Sequence, residues 1–143
     1  MRAPNPSYPR FRLAVLAACL LQAAIAVPAA LAATPDSLLQ QWRAEAGGAA
    51  PAFAASRGRS LFETRGADWS CSSCHTADPR QLGRHVVTGK TIQPLAPGAN
   101  PQRFTDDAKV AKWMRRNCRD VLGRECTPQE KGDVLTWLVS LGK

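Results

Sequence analysis

Cys71-Ser72-Ser73-Cys74-His75 decides how this chain is read. Two cysteines separated by two residues, with histidine directly after the second, form the attachment pattern of haem c. The two thiols add to the vinyl groups on one edge of the porphyrin, and the short spacer keeps both on that edge. His75 then reaches the iron as the proximal ligand. Two other chemistries use paired cysteines. A structural zinc site needs a second ligand pair at matching spacing, and none follows. A thioredoxin-like dithiol belongs in a chain of alternating strands and helices, which is not the pattern here. The motif therefore predicts one covalently bound haem c, with a fold built around it.

Upstream of the motif, the 143 residues leave room for one domain after a leader. Arg2, Arg10 and Arg12 form a basic start, and Leu13 to Val27 is apolar. Pro28 breaks that stretch, and Ala30-Leu31-Ala32 is a small-x-small cleavage site. The apolar stretch is short for a membrane span and has no stop-transfer flank. Residues 1–32 thus predict a cleaved secretory signal peptide, and residues 33–143 a monohaem domain without a membrane span. Leu16-Ala17-Ala18-Cys19 resembles a lipobox, but the apolar run before Cys19 is very short and apolar sequence continues past it. Export of this kind places the mature chain in the periplasm.

The cysteine count then closes. Of five cysteines, Cys19 leaves with the signal and Cys71 and Cys74 take the haem. Cys118 and Cys126 remain in an oxidising compartment, where a disulfide bond is the default. The formal charge is +8, and the three leader arginines, with no acids beside them, leave +5 on the mature chain. That basic balance suits an acidic redox partner. Nucleic acid is excluded for an exported haem protein.

The mature chain reads as helices joined by long loops. Thr34-Pro35-Asp36 opens a helix that runs to about Ala46 and stops at Gly47-Gly48. A second helix around Phe53 to Thr64 carries Gly58 and Phe62 on one face and leads into the haem motif. Residues 77–104 are rich in proline and glycine and read as loop. Thr105-Asp106-Asp107 opens a helix through about Cys118. Thr127-Pro128-Gln129-Glu130 is a capping box for a last helix ending at Leu141-Gly142. No strand pattern appears.

The sixth iron position separates an electron carrier from a ligand-binding haem. Candidates in the mature chain are His85, Met114, Asn117, a lysine, or none. His85 sits in a polar context and reads as exposed. With Val110 at zero on a helical wheel, Trp113, Met114 and Asn117 fall on one side, and Lys109, Lys112, Arg115 and Arg116 fall away from it. An amide on that apolar face needs a partner, since leaving it without one costs roughly 1–3 kcal/mol. Iron is one possible partner and a backbone carbonyl at the helix end another. Periodicity alone leaves Asn117 and Met114 level. Trp113 reads as pocket wall or core. Arg115, Arg116, Arg119 and Arg124 crowd the same region, where they either meet haem propionates and anionic ligands or lie solvated. Beyond these arginines the distal side offers no positioned acid–base pair, and no catalytic residue is assigned.

The order of a helix bearing Gly58 and Phe62, the haem motif, loops and a C-terminal amphipathic helix resembles class I cytochromes c. That resemblance implies an all-α fold in which the first and last helices of the haem domain cross, Phe62 meeting Trp137, Leu138 and Leu141. Here it carries an extra N-terminal helix. In that family a proline carbonyl accepts from the proximal histidine and orients it, which makes Pro94 either that partner of His75 or, equally, a simple turn proline. Further motifs resemble the SHP-type cytochromes (sphaeroides haem protein). They are Thr88-Gly89-Lys90, Pro94-Leu95-Ala96-Pro97, Arg103-Phe104-Thr105-Asp106, Lys112-Trp113, Arg116-Asn117-Cys118, Gly123-Arg124-Glu125-Cys126-Thr127-Pro128 and Glu130-Lys131. The resemblance spans most of the mature chain. It implies electron transfer through one haem, with His75 proximal and Asn117 distal in the oxidised state. It further implies that Asn117 leaves on reduction so that O2, NO or CO can bind, and that a Cys118–Cys126 bridge follows the ligand. The partners it implies are a dihaem cytochrome c or a membrane cytochrome b as electron donor. A plain electron shuttle with Met114 as distal ligand is the alternative reading.

Overall fold

The computed structural model describes residues 32–142. The leader up to residue 31, with Cys19 and the first two residues of the cleavage site, lies outside the described residues. Five helices and one short hairpin follow in order: α1 (Pro35–Ala46), α2 (Ala55–Glu63), α3 (Cys71–His75), β1 (Gly83–Arg84), β2 (Thr91–Ile92), α4 (Asp107–Leu122) and α5 (Pro128–Ser140). None of the described helices is long and apolar enough to cross a membrane.

Local chemistry accounts for most helix ends. Thr34 caps α1 by accepting from the Ser37 amide, and the Ser37 hydroxyl accepts in return from the Thr34 amide. Thr127 and Glu130 do the same for α5, each with proline at the first helical position. Asp106 caps α4 through the Lys109 amide at 2.8 Å. That helix passes Cys118 and ends only at Gly123, whose φ of 70° is left-handed and suits glycine. Asn117 therefore stands inside α4 and not at its end, which removes the reading of a helix-terminating asparagine.

The N-terminus of α2 is a different case. Ala54 has no side chain to cap it. Asp133, from α5, does so across space, accepting from the Ala54 amide at 2.7 Å and from Arg57 at 2.8 Å. A buried carboxylate at a helix N-terminus meets both orphan amides and the positive end of the dipole.

The same two helices cross at Gly58. A Cβ built there would stand 2.0 Å from the Asp133 carbonyl oxygen, so no side chain fits between the backbones. One turn on, Phe62 is 1% exposed and packs on Trp137 with ring centroids 4.9 Å apart. Leu38 and Trp42 of α1 close the core from the far side of α5, with Leu135 and Leu138 at its centre. The crossing expected from the Gly58–Phe62 pattern is thus present, and α1 is the added layer.

One expectation changes. Between α3 and α4 the loop contains a two-stranded antiparallel hairpin, Gly83 facing Ile92 and Arg84 facing Thr91. Strands of two residues give no alternation to read in a sequence. His85 is half-buried in this hairpin, and its Nδ1 accepts from the amides of Val87 at 3.2 Å and Thr88 at 3.3 Å. It shapes the turn.

Candidate haem site

Helix α3 is a single turn, with Ser70 and Ser73 forming a capping box at its start. A turn of helix brings residues three apart to the same face, so Cys71 and Cys74 both project to one side. Both are free and half-buried. Burial pushes the Cys71 thiol up to about 11, so it stays protonated in apolar surroundings. His75, next in line, is held neutral: burial first, and then the Arg103 charge, lower its pKa to about 4. A neutral imidazole keeps a ring nitrogen free to bind metal. Phe62 braces it, with ring centroids 6.2 Å apart and planes tilted by 45°.

The chain leaves this turn abruptly. Thr76 has a φ of 63°, an unusual value for a branched residue, and its hydroxyl donates to the Asp78 carbonyl at 2.7 Å. Strain of this kind is tolerated where the surrounding structure fixes it. The hairpin then folds back onto α3 so tightly that a Cβ on Gly83 would lie 2.2 Å from the Cys74 carbonyl oxygen. Helix α3 is therefore clamped between Phe62 on one side and the hairpin on the other. Two free thiols on one helical face, with a neutral histidine beside them, are the donor set a c-type haem requires. The residues fit the group: Cys71 and Cys74 would carry the thioether bonds and His75 the iron.

The Pro94 carbonyl is held within its own loop. Its carbonyl accepts from Arg103 Nε at 2.9 Å and from Asn100 Nδ2 at 3.3 Å, and His75 is not among its donors. A carbonyl oxygen has two lone pairs, and these two bonds use both. Arg103, named above only as part of a motif string, holds this carbonyl together with Asn100. Nothing in its local sequence marks it, because the carbonyl it holds belongs to a loop whose path the sequence does not reveal.

On α4 the two distal candidates part company. Met114 is half-buried and lines a cleft with Leu38, Trp42 and Cys126, packing against the core on the α1 side. Asn117 is exposed, as is Trp113 one turn earlier at 44%, which makes Trp113 a surface residue rather than core. The hydrogen bonds and ion pairs of α4 engage Asp106, Arg116 and Arg119, not Asn117. Cys118 is buried and joined to Cys126 with Cα atoms 5.6 Å apart, so the bridge ties α4 to the start of α5 directly after Asn117. Three of the four arginines expected near the distal edge have carboxylate partners: Arg116 with Asp120, Arg119 with Glu125 and Arg124 with Glu130. Arg115 lines the α1–α4 cleft.

Comparison with known proteins agrees with this arrangement. Residues 48–138 match the family model of a domain of unknown function, DUF1924. The chain is 49% identical over 127 residues to the cytochrome c-type protein SHP of Cereibacter sphaeroides, covering 85% of this chain and 95% of the relative. The structure of oxidised SHP, an oxygen-binding cytochrome c, superposes with a TM-score of 0.68 at 46% identity, covering 76% of this chain and 98% of that one. The solution structure of Methylophilus methylotrophus cytochrome c'', which concerns the structural basis of haem-ligand detachment, gives a TM-score of 0.67 at 35% identity, with 76% and 94% covered. These relatives are c-type haem proteins of the all-α cytochrome c fold. The chain belongs to the SHP-type family of c-type cytochromes.

Proposed function

We propose that this is an exported, periplasmic electron-transfer cytochrome in which Asn117 is the distal ligand of the oxidised haem and departs on reduction, opening the site to O2, NO or CO. Bound haem supplies a one-electron redox centre and an iron able to accept a diatomic ligand. Asn117 governs access to it. An amide oxygen is a hard, weak donor, better suited to ferric than to ferrous iron. Reduction weakens its hold, and the exposed flank of α4 with Trp113 and Asn117 becomes the wall of a ligand site.

The observation that carries this reading is the division of α4. Met114 packs toward Trp42 and Leu38, whereas the Asn117 side chain is exposed and makes no hydrogen bond or ion pair among the described residues. Support also comes from the relatives, of which SHP is an oxygen-binding cytochrome and cytochrome c'' a protein of haem-ligand detachment. The Cys118–Cys126 bridge fits an oxidising compartment. The basic mature chain suits an acidic electron donor, such as a dihaem cytochrome c or a membrane cytochrome b.

Absorption spectra of the purified protein, ferric, then reduced, then with CO, test this. A high-spin ferrous spectrum that converts promptly with CO is expected. Asn117→Met should keep the ferrous form low-spin and slow CO entry, while Met114→Leu should change neither. A low-spin ferrous spectrum in the native protein that resists CO, with a near-infrared methionine–iron band in the ferric form, would overturn the reading in favour of Met114 and a plain shuttle.

A further inference from the structure

Helix α4 is anchored differently from the other helices. Among the described residues, the extended contacts between elements pair α2 with α5, α1 with α5, α2 with α3 and α3 with β1, and none involves α4. Its side chains Val110 and Met114 lean on the core, and Cys118 is bridged to Cys126. Its last turn also meets the loop between α2 and α3. A Cβ built on Gly66 would run into the Val121 carbonyl oxygen and stand 2.8 Å from its carbonyl carbon, so any side chain there forces the two backbones apart. Gly66 is not one of the left-handed glycines, so close approach rather than backbone conformation is what calls for glycine here. The loop itself is tied at both ends. The Thr64 hydroxyl donates to the Ser60 carbonyl at 2.7 Å, the Gly66 amide to the Trp69 carbonyl at 2.8 Å, and Ser70 begins the capping box of α3.

Val121 lies one turn beyond Asn117 on α4, and Ser70 stands directly before the Cys71–His75 turn. The Gly66–Val121 contact therefore joins the helix that carries His75 to the helix that carries Asn117, backbone to backbone. We propose that Gly66 is a positioning residue for the distal ligand. By letting the loop into α3 lie flush on the last turn of α4, it sets how closely α4 brings Asn117 to the iron. The Cys118–Cys126 bridge ties the same stretch to the start of α5, so this half of α4 is fixed from two sides. A weak amide donor depends on the groups behind it that aim it. Asn117 leaves on reduction, so the contact acts on the ferric haem and not on the ferrous one. The inference rests on Asn117 as the distal ligand, and the experiment separates the two.

The test compares the haem-loaded native protein with Gly66→Ala and Asn117→Ala. It reads the ferric spin state by electron paramagnetic resonance, the ferric affinity for imidazole and the rate of CO association with the ferrous form. Gly66→Ala should raise the high-spin ferric fraction and tighten imidazole binding about tenfold, because an internal ligand that holds less well competes less. Its CO association should stay native, a split that mere loss of stability does not produce. Asn117→Ala should change the ferric readings in the same direction and further. Native ferric readings in Gly66→Ala beside changed ones in Asn117→Ala overturn the inference and leave the ligand assignment standing. Native ferric readings in Asn117→Ala overturn both. Equal changes in imidazole and CO binding in Gly66→Ala also overturn it, because the contact would then shape the pocket and not the ligand. If Gly66→Ala does not accumulate, hydrogen exchange of the native ferric protein decides. Coupling is reciprocal, so displacing Asn117 with imidazole should speed exchange at the Gly66 amide about tenfold, and an unchanged rate would refute the link.

Discussion

Gly58→Ala is the smallest change that probes the helix crossing on which the haem seat depends. In an open helix this substitution is favourable by roughly 0.5–1 kcal/mol, since glycine loses more chain entropy on folding. Here the added methyl would lie 2.0 Å from the Asp133 oxygen, 2.3 Å from its carbonyl carbon and 2.7 Å from the Val134 nitrogen. Ordinary contact begins at 3.4 Å, so α2 and α5 must part by about 1.4 Å, and every atom in the way is backbone. No rotamer change relieves such a clash. Overpacking of this kind costs typically about 1–3 kcal/mol, and the upper half applies when the obstacle is main chain. After the helical gain of alanine, a net loss of about 1–2 kcal/mol remains. At about 4 °C per kcal/mol for a domain of this size, Tm should fall by roughly 4–8 °C. The shift also carries Phe62 away from Trp137 and His75, so the haem spectrum should change with the stability. Thermal unfolding of the haem-loaded ferric protein, followed by far-ultraviolet circular dichroism, measures the first effect, and its visible absorption the second. An unchanged or raised Tm would mean that the crossing is looser than the geometry requires.

Three further changes probe the supports of that crossing. Asp133→Ala removes the cap of α2, which alone is worth ~1–2 kcal/mol, and should lower the denaturant midpoint; Asp133→Asn should keep part of it through its own carbonyl oxygen. An equal loss in both variants would show that the charge, not the cap, is what matters. Glu130, which the Arg124 guanidinium chiefly holds down from 4.5 to about 2, contributes stability present above its unfolded pKa and lost as pH falls through the folded one. The Tm gap between native protein and Glu130→Gln should therefore be widest above about pH 5 and close toward about pH 2; a gap independent of pH would refute that origin. Replacing Cys118 and Cys126 by serine opens a loop of eight-residue separation, for which chain entropy gives ~2–3 kcal/mol, and should lower Tm by roughly 10 °C. If the bridge also restrains Asn117, CO association with the ferrous protein will change in the same variant, and if it does not, the bridge is a staple only.

How much was legible followed the range of the interactions. The haem motif, the caps at Thr34 and Thr127 and the Gly58–Phe62 spacing are local signals, and each lies where its residues place it. The start of α2 lies two residues beyond the position the sequence predicts, because its cap comes from Asp133, 79 residues away, and no nearby residue announces it. The end of α4 lies four residues beyond the predicted Cys118, at Leu122, where the left-handed Gly123 stops the helix. Pro94 and Arg103 show the same limit from the other direction. A carbonyl has no identity in sequence, so which donor finds it depends on how the loop closes.

The extra helix α1 bears on function through this same route. Met114 and Asn117 are three residues apart, which on a helix is about 60° of rotation, too little for a hydrophobic pattern to separate them. What separates them is which side of α4 another element covers. Leu38 and Trp42 line the cleft that receives Met114, giving the only methionine of the domain an apolar environment it would have to leave to become a ligand. Asn117 on the neighbouring flank meets no such competitor. On the proposed reading, a helix far in sequence from the haem motif favours a weak oxygen donor over a strong sulfur donor at the sixth position, and with it a haem that opens on reduction over one that stays closed.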